Sequence, residues 1–263
     1  MYDLLYTNGD SFTMGMEILG DKDITEENKN HAYPMHVTDL MGIKDHVNSA
    51  LPGAPNEWIA RQTIFDLLRY EKNGQDLSKV FCLVGWSSIN RLEVSVKEDI
   101  QKAKDLGLWP PMGFTSYEID LFGTNFINSS IEKFILDKDG KNIFDFSKGA
   151  HEFAVEYLWD EELEHEKWFT NIQLVKNFFE NKGINYLMVN NVSPWVSNSK
   201  WRLNKHEDLL FDKHYYEPTK FSFQDWGHTR YPFERRQESH FTRKVHVNFA
   251  EKILYPYIKE NLL

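Results

Sequence analysis

Short strand-like runs alternating with amphipathic helical patterns leave this chain few folds to choose from. The candidate strands are Leu4–Thr7, Lys44–Asn48, Val80–Gly85 and Tyr186–Asn190. Runs this short suit buried parallel strands better than half-exposed antiparallel ones. Between them, Glu57–Tyr70 sets Ala60, Ile64, Leu67 and Leu68 on one side of a helix. Glu166–Asn181 carries Trp168, Ile172, Val175 and Phe179, and stops at Lys182-Gly183, a natural helix end. Val245–Lys259 repeats apolar residues at Val245, Phe249, Ile253 and Tyr257. The alternation predicts an α/β protein, a three-layer α/β/α sandwich with a mainly parallel sheet.

Two stretches break the alternation. Residues 107–150 hold Trp109-Pro110-Pro111 and the turn Asp137-Lys138-Asp139-Gly140; residues 193–236 hold three prolines and a dense set of aromatics. Connections of this length carry function or structure of their own. Both are read as insertions within one domain spanning 1–263, over the C-terminal edge of the sheet. The aromatics from Trp195 to Phe233 suit either core or the wall of a cleft.

Composition excludes several classes of function. A net charge of −10 argues against binding nucleic acid or an anionic membrane. No apolar stretch approaches the length of a membrane span. The N-terminus, Met1-Tyr2-Asp3, lacks a basic region and a signal-peptide core. The single cysteine, Cys82, lies inside an apolar run and reads as a buried, inert thiol. A cytoplasmic setting is expected.

Chemistry enters at the strand ends. Leu4-Leu5-Tyr6 runs into Gly9-Asp10-Ser11 and then into a helix-compatible segment. That layout brings a serine hydroxyl to the edge where open α/β sheets bind ligands. Backbone N–H groups at such a turn can stabilise an oxyanion. Asn48–Asn56, with Gly53 at its centre, follows the second strand. Gly85-Trp86-Ser87-Ser88 follows the third. Glu238-Ser239-His240 precedes the last helix, and a loop histidine with an acid two residues earlier can act as an oriented general base.

In this order, the four elements resemble the blocks of the SGNH, or GDSL-type, hydrolase superfamily. Gly9-Asp10-Ser11 looks like the first block and Gly53 like the glycine of the second. Gly85-Trp86-Ser87-Ser88 stands where the family usually has Gly-x-Asn-Asp, and Glu238-Ser239-His240 where it usually has an Asp shortly before the His. The resemblance implies a flavodoxin-like sandwich and a serine esterase. Ser11 would be the nucleophile, His240 the base and Glu238 the orienting acid. The N–H groups of Ser11 and Gly53, with the Ser87 hydroxyl, would form the oxyanion hole. Asp10, Trp86 and Trp226 would contact substrate. Neither a metal nor an organic cofactor is expected. The substrate would be a small-molecule or carbohydrate ester, with O-acetyl sugars suggested by the aromatics.

Two departures motivate a rival reading. The third-block asparagine and the last-block aspartate are both absent, as in a protein that binds glycan or a partner without turnover. A nucleotide-binding doubly wound protein is disfavoured because neither Gly-x-Gly-x-x-Gly nor a P-loop occurs. The other histidines show no metal-ligand spacing. His151 and His165 read as a solvated helix face, and His246 as structural.

Overall fold

The computed structural model describes residues 2–20, 25–95, 116–120, 160–193, 212–236 and 240–263. Six strands occur among them. They are β1 (Leu4–Asn8), β2 (Asp45–Asn48), β3 (Val80–Trp86), β4 (Arg91–Ser95), β5 (Ser116–Asp120) and β6 (Asn185–Asn190). The helices are α1 (Ser11–Met14), α2 (Glu26–His31), α3 (Tyr33–Met41), α4 (Asn56–Lys72), α5 (Glu161–Lys182), α6 (Phe223–Arg230), α7 (Arg243–Phe249) and α8 (Tyr255–Asn261). The chain divides into two compact units: Met1–Ile89 with His165–Leu263, and Asn90–Glu164. In the second, β4 and β5 pair antiparallel, a ladder the sequence pattern did not announce.

The first unit is built on a parallel sheet in the order β2-β1-β3-β6. A single parallel bridge, Met188 to Tyr215, adds one further rung beyond β6. This is the doubly wound order, and its direction reverses between β1 and β3. Alternate residues explain why β1, β3 and β6 are mostly apolar. Leu5, Phe81, Leu83, Leu187 and Val189 pack on one face with Tyr33 and Val37 of α3 and Phe249, Leu254 and Ile258 near the C-terminus. On the other face, Asn8 bonds to Ile59 and Thr63 of α4, and Tyr186 meets Phe179 of α5 at 4.8 Å between ring centroids. Helices on both faces make three layers, so both sides of each central strand are buried. β2, at the sheet edge, is the most exposed of the four.

The last helical pattern, read as continuous over Val245–Lys259, is interrupted. A π-helical turn at Ala250–Leu254 joins α7 to α8, and Pro256 follows in the first turn of α8. Proline has no N–H to give back and crowds the preceding turn, so a widened turn accommodates it. α5 starts before the sequence pattern suggested because Glu161, Glu162 and Glu164 suit its first turn. His165 is buried there, so the solvated face expected for it is corrected; His151 lies outside the described residues. Cys82 is buried, and burial pushes its thiol pKa well up.

The aromatics of the second insertion, where described, belong to the core. Tyr215 and Phe223 are buried, and Tyr216, Phe221, Trp226 and Tyr231 pack against the same cluster. Of the two readings left open, core or cleft wall, the described rings take the first, and Phe233 alone of these is almost fully exposed. Trp195, Trp201 and Phe211 lie outside the described residues. No helix among the described residues is long and apolar enough to cross a membrane.

Candidate active site

The reversal between β1 and β3 is where doubly wound sheets open a crevice for ligands. Two glycines let the strand ends approach there. A Cβ on Gly9 would lie 2.8 Å from the Gly85 carbonyl oxygen, and one on Gly85 would strike the side chains of Asn191 and Thr13. A side chain at Gly9 would press on the end of β3, and one at Gly85 would displace Asn191 and Thr13.

Ser11 opens α1 and is 4% exposed. The preceding Asp10 is the N-cap, and its Oδ1 accepts from the Phe12 N–H at 3.1 Å. The same oxygen accepts from Asn191 Nδ2 at 2.7 Å, and Oδ2 accepts from the Ser87 hydroxyl at 3.2 Å. Asn191 follows β6 and gives its second amide hydrogen to Thr13 Oγ1 at 2.7 Å. Tyr33 donates to Asn191 Oδ1 at 3.0 Å, and its hydroxyl also meets Thr13 Oγ1 at 2.8 Å. Burial raises the Tyr33 pKa, so this hydroxyl stays a donor. Asn48, at the end of β2, donates to the Thr13 carbonyl at 2.9 Å. Asn56 pins the loop after β3 by accepting from Ser87 N and donating to the carbonyls of Ser87 and Ser88. Three asparagines, two at the ends of the β2–α4 connection and one just after β6, therefore fix the Ser11 turn and its neighbour.

His240 arrives from the other end of the chain. Arg236 donates its N–H to the His240 carbonyl at 2.8 Å, and a bridge between Arg235 and Phe241 holds the segment in place. The imidazole is 7% exposed and packs on the Phe12 ring with centroids 5.1 Å apart. Phe12 in turn contacts Phe223 and Phe241, each at 5.8 Å. His240 Nδ1 lies 3.2 Å from Glu17 Oε2. Glu17 is 3% exposed and adopts φ +60° in the turn after α1. No hydrogen bond joins Ser11 Oγ to His240 in this structure.

The expected residues therefore meet in part. Ser11 and His240 flank Phe12 at one edge of the sheet. Gly53 takes φ +75° in the turn after β2, at the same edge. Asp10 and Ser87 are brought together, but both are fully buried and bonded to each other. Asp10 thus braces the serine turn from behind and offers substrate no surface. Trp86 ends the central strand with both faces covered and is fully buried, so it presents no face to a ligand. Trp226 stacks on Phe223 in the core cluster. Glu238 lies outside the described residues. Glu17, Asn191 and Asn56 were not singled out from the sequence. Only the position of Asn191, just after a strand end, hinted at a part in the site.

His246, one turn into α7, accepts from the Tyr33 N–H at 3.2 Å. Burial, then the neighbouring His36 and His240, lower its pKa to about 3. It is a neutral packing element, as its place in the helix suggested.

No protein-family model matches the sequence, and no curated protein matches it. Among solved structures, the chain is similar to the psychrotrophic esterase EstA from Pseudoalteromonas sp., in a form inhibited by monoethylphosphonate. The two are 9% identical, the match covers 98% of this chain and 97% of that one, and the TM-score is 0.45. At that distance no residue role transfers from the esterase.

Proposed function

We propose that this protein is a serine ester hydrolase with Ser11 as nucleophile and His240 as general base. One observation carries the reading. The His240 imidazole packs on Phe12, the neighbour of Ser11, at the edge of the sheet where β1 and β3 diverge. Ser11 Oγ bonds to the ester carbonyl carbon as His240 takes its proton. The carbonyl electrons move onto oxygen, with the N–H groups of Ser11 and Gly53 as the proposed donors. The C–O bond to the alcohol then breaks and His240 protonates the departing oxygen. Water attacks the acyl-enzyme by the same route and frees Ser11 and a carboxylic acid.

The proposed substrate class is an acyl ester. Apart from the exposed Phe233, the described aromatic rings that suggested a sugar ester are buried or packed on the core, so they lend that narrower reading little support. One feature favours the rival reading of a binder without turnover: the Ser87 hydroxyl is given to Asp10 and is not directed at an oxyanion. The test separates the two. Purified protein should hydrolyse p-nitrophenyl acetate and react with a fluorophosphonate, and Ser11→Ala should abolish both. Equal rates in the two proteins, or no labelling of Ser11, would remove the serine mechanism.

A further inference from the structure

Resting on the Ser11–His240 reading, we infer that Glu17 is the carboxylate that orients the His240 imidazole and stabilises its protonated form. The geometry is direct. Glu17 Oε2 lies 3.2 Å from His240 Nδ1, with both residues buried. A carboxylate only accepts, so this bond puts the ring proton on Nδ1 and leaves the Nε2 lone pair for the serine proton. When His240 takes that proton, the positive charge forms beside a carboxylate that water barely reaches, where the attraction is least screened.

The local backbone points the same way. Glu17 is one of two described non-glycine residues with positive φ, at +60°. Glycine adopts that conformation without strain, whereas an L side chain does not. The strained position carries the side chain that reaches His240. Its turn is closed by hydrogen bonds from Gly20 N to the Glu17 carbonyl at 2.8 Å and from Met16 N to the Ser11 carbonyl at 3.0 Å. Ser11 and Glu17 therefore sit on one short hydrogen-bonded stretch of chain, and the histidine packs on Phe12 between them while bonding to Glu17. Strain held at a site of this kind fits a role in positioning. Among the described residues, His246 on α7 is neutral and the Arg236 guanidinium lies over Gly20.

Glu17→Gln keeps the shape and removes the charge. It should lower kcat for p-nitrophenyl acetate by ~10²- to 10⁴-fold with KM nearly unchanged. Loss of the carboxylate also lowers the imidazole pKa, so the acid limb of the kcat/KM profile should move to lower pH. A purely structural role would leave that limb in place. Glu238→Gln, run in parallel, tests the competing acid. Unchanged kcat and profile in Glu17→Gln overturn the inference: a loss in Glu238→Gln then names Glu238 as the acid, and no loss in either names a dyad. Full activity in Ser11→Ala is the separate failure of the underlying reading. Nitrogen NMR of the unaltered chain needs no variant to fold. His240 protonated on Nδ1 in the neutral form is expected, and a bare Nδ1 overturns the inference.

Discussion

The serine side and the histidine side of the crevice are held by different forces. Around Ser11, polar atoms do the work: Asp10, Thr13, Asn48 and Asn191 bond to each other and to the backbone in a buried net. Around His240, rings do it: Phe12, Phe223, Phe241 and Phe249 stack or meet edge to face, with Phe223 and Phe249 only 4.3 Å apart. Hydrogen bonds fix direction, so they suit a hydroxyl whose aim matters. Ring packing supplies burial and cohesion but constrains direction less. Glu17 then supplies on the histidine side the directional contact that the rings lack.

That contrast can be broken at three points. The largest effect is expected from Phe223→Ala, which empties the centre of the ring cluster. It should cost about 3–5 kcal/mol in denaturant unfolding. A loss below about 1 kcal/mol would show that the histidine side does not depend on the rings. Acid comes second. The folded-state pKa of His246 is about 3, below the value of about 6.5 for an unfolded chain. The unfolded state therefore binds the proton first, and stability falls as pH drops through that window, by up to about 1.4 kcal/mol per unit. At pH 5 the loss is about 2 kcal/mol, with His46, held at about 4 by burial, adding in the same direction. His246→Asn should flatten the slope in melts taken from pH 7 to 4, and an unchanged slope would clear His246. The smallest stability change is expected from Asp10→Asn, about 1–2 kcal/mol, because the amide keeps the shape and one acceptor. Its loss of turnover should exceed its loss of stability. Wild-type turnover in this variant would show that the polar net does not aim Ser11.

The sheet was legible because burial on both faces writes apolar runs into β1, β3 and β6, and these three and the more polar edge strand β2 all fall within a residue or so of their expected limits. The glycine stop of α5 was legible for a similar reason: Gly183 takes φ +65°, which few other residues adopt. What was hidden depends on distance along the chain. Asn191 reaches Asp10, and Glu17 reaches His240, by folding and not by spacing. No periodicity marks such pairs. The resemblance assigned Asp10 and Trp86 to substrate, yet a place in a sequence block does not tell which side of a strand end faces the crevice. Glu238 drew attention by its place two residues before His240, and spacing of that kind could not point to Glu17, which lies against the ring from far along the chain.

The bond between Glu17 and His240 spans 223 positions. Three of the four sheet strands have been threaded between those two residues before the bond can form. The entropy of closing so long a loop grows only slowly with its length, but a contact this non-local is among the last a chain can reach. On the proposed reading, a half-folded chain would hold Ser11 and Glu17 on a finished turn before His240 arrives. Turnover would then certify that the final helices have docked.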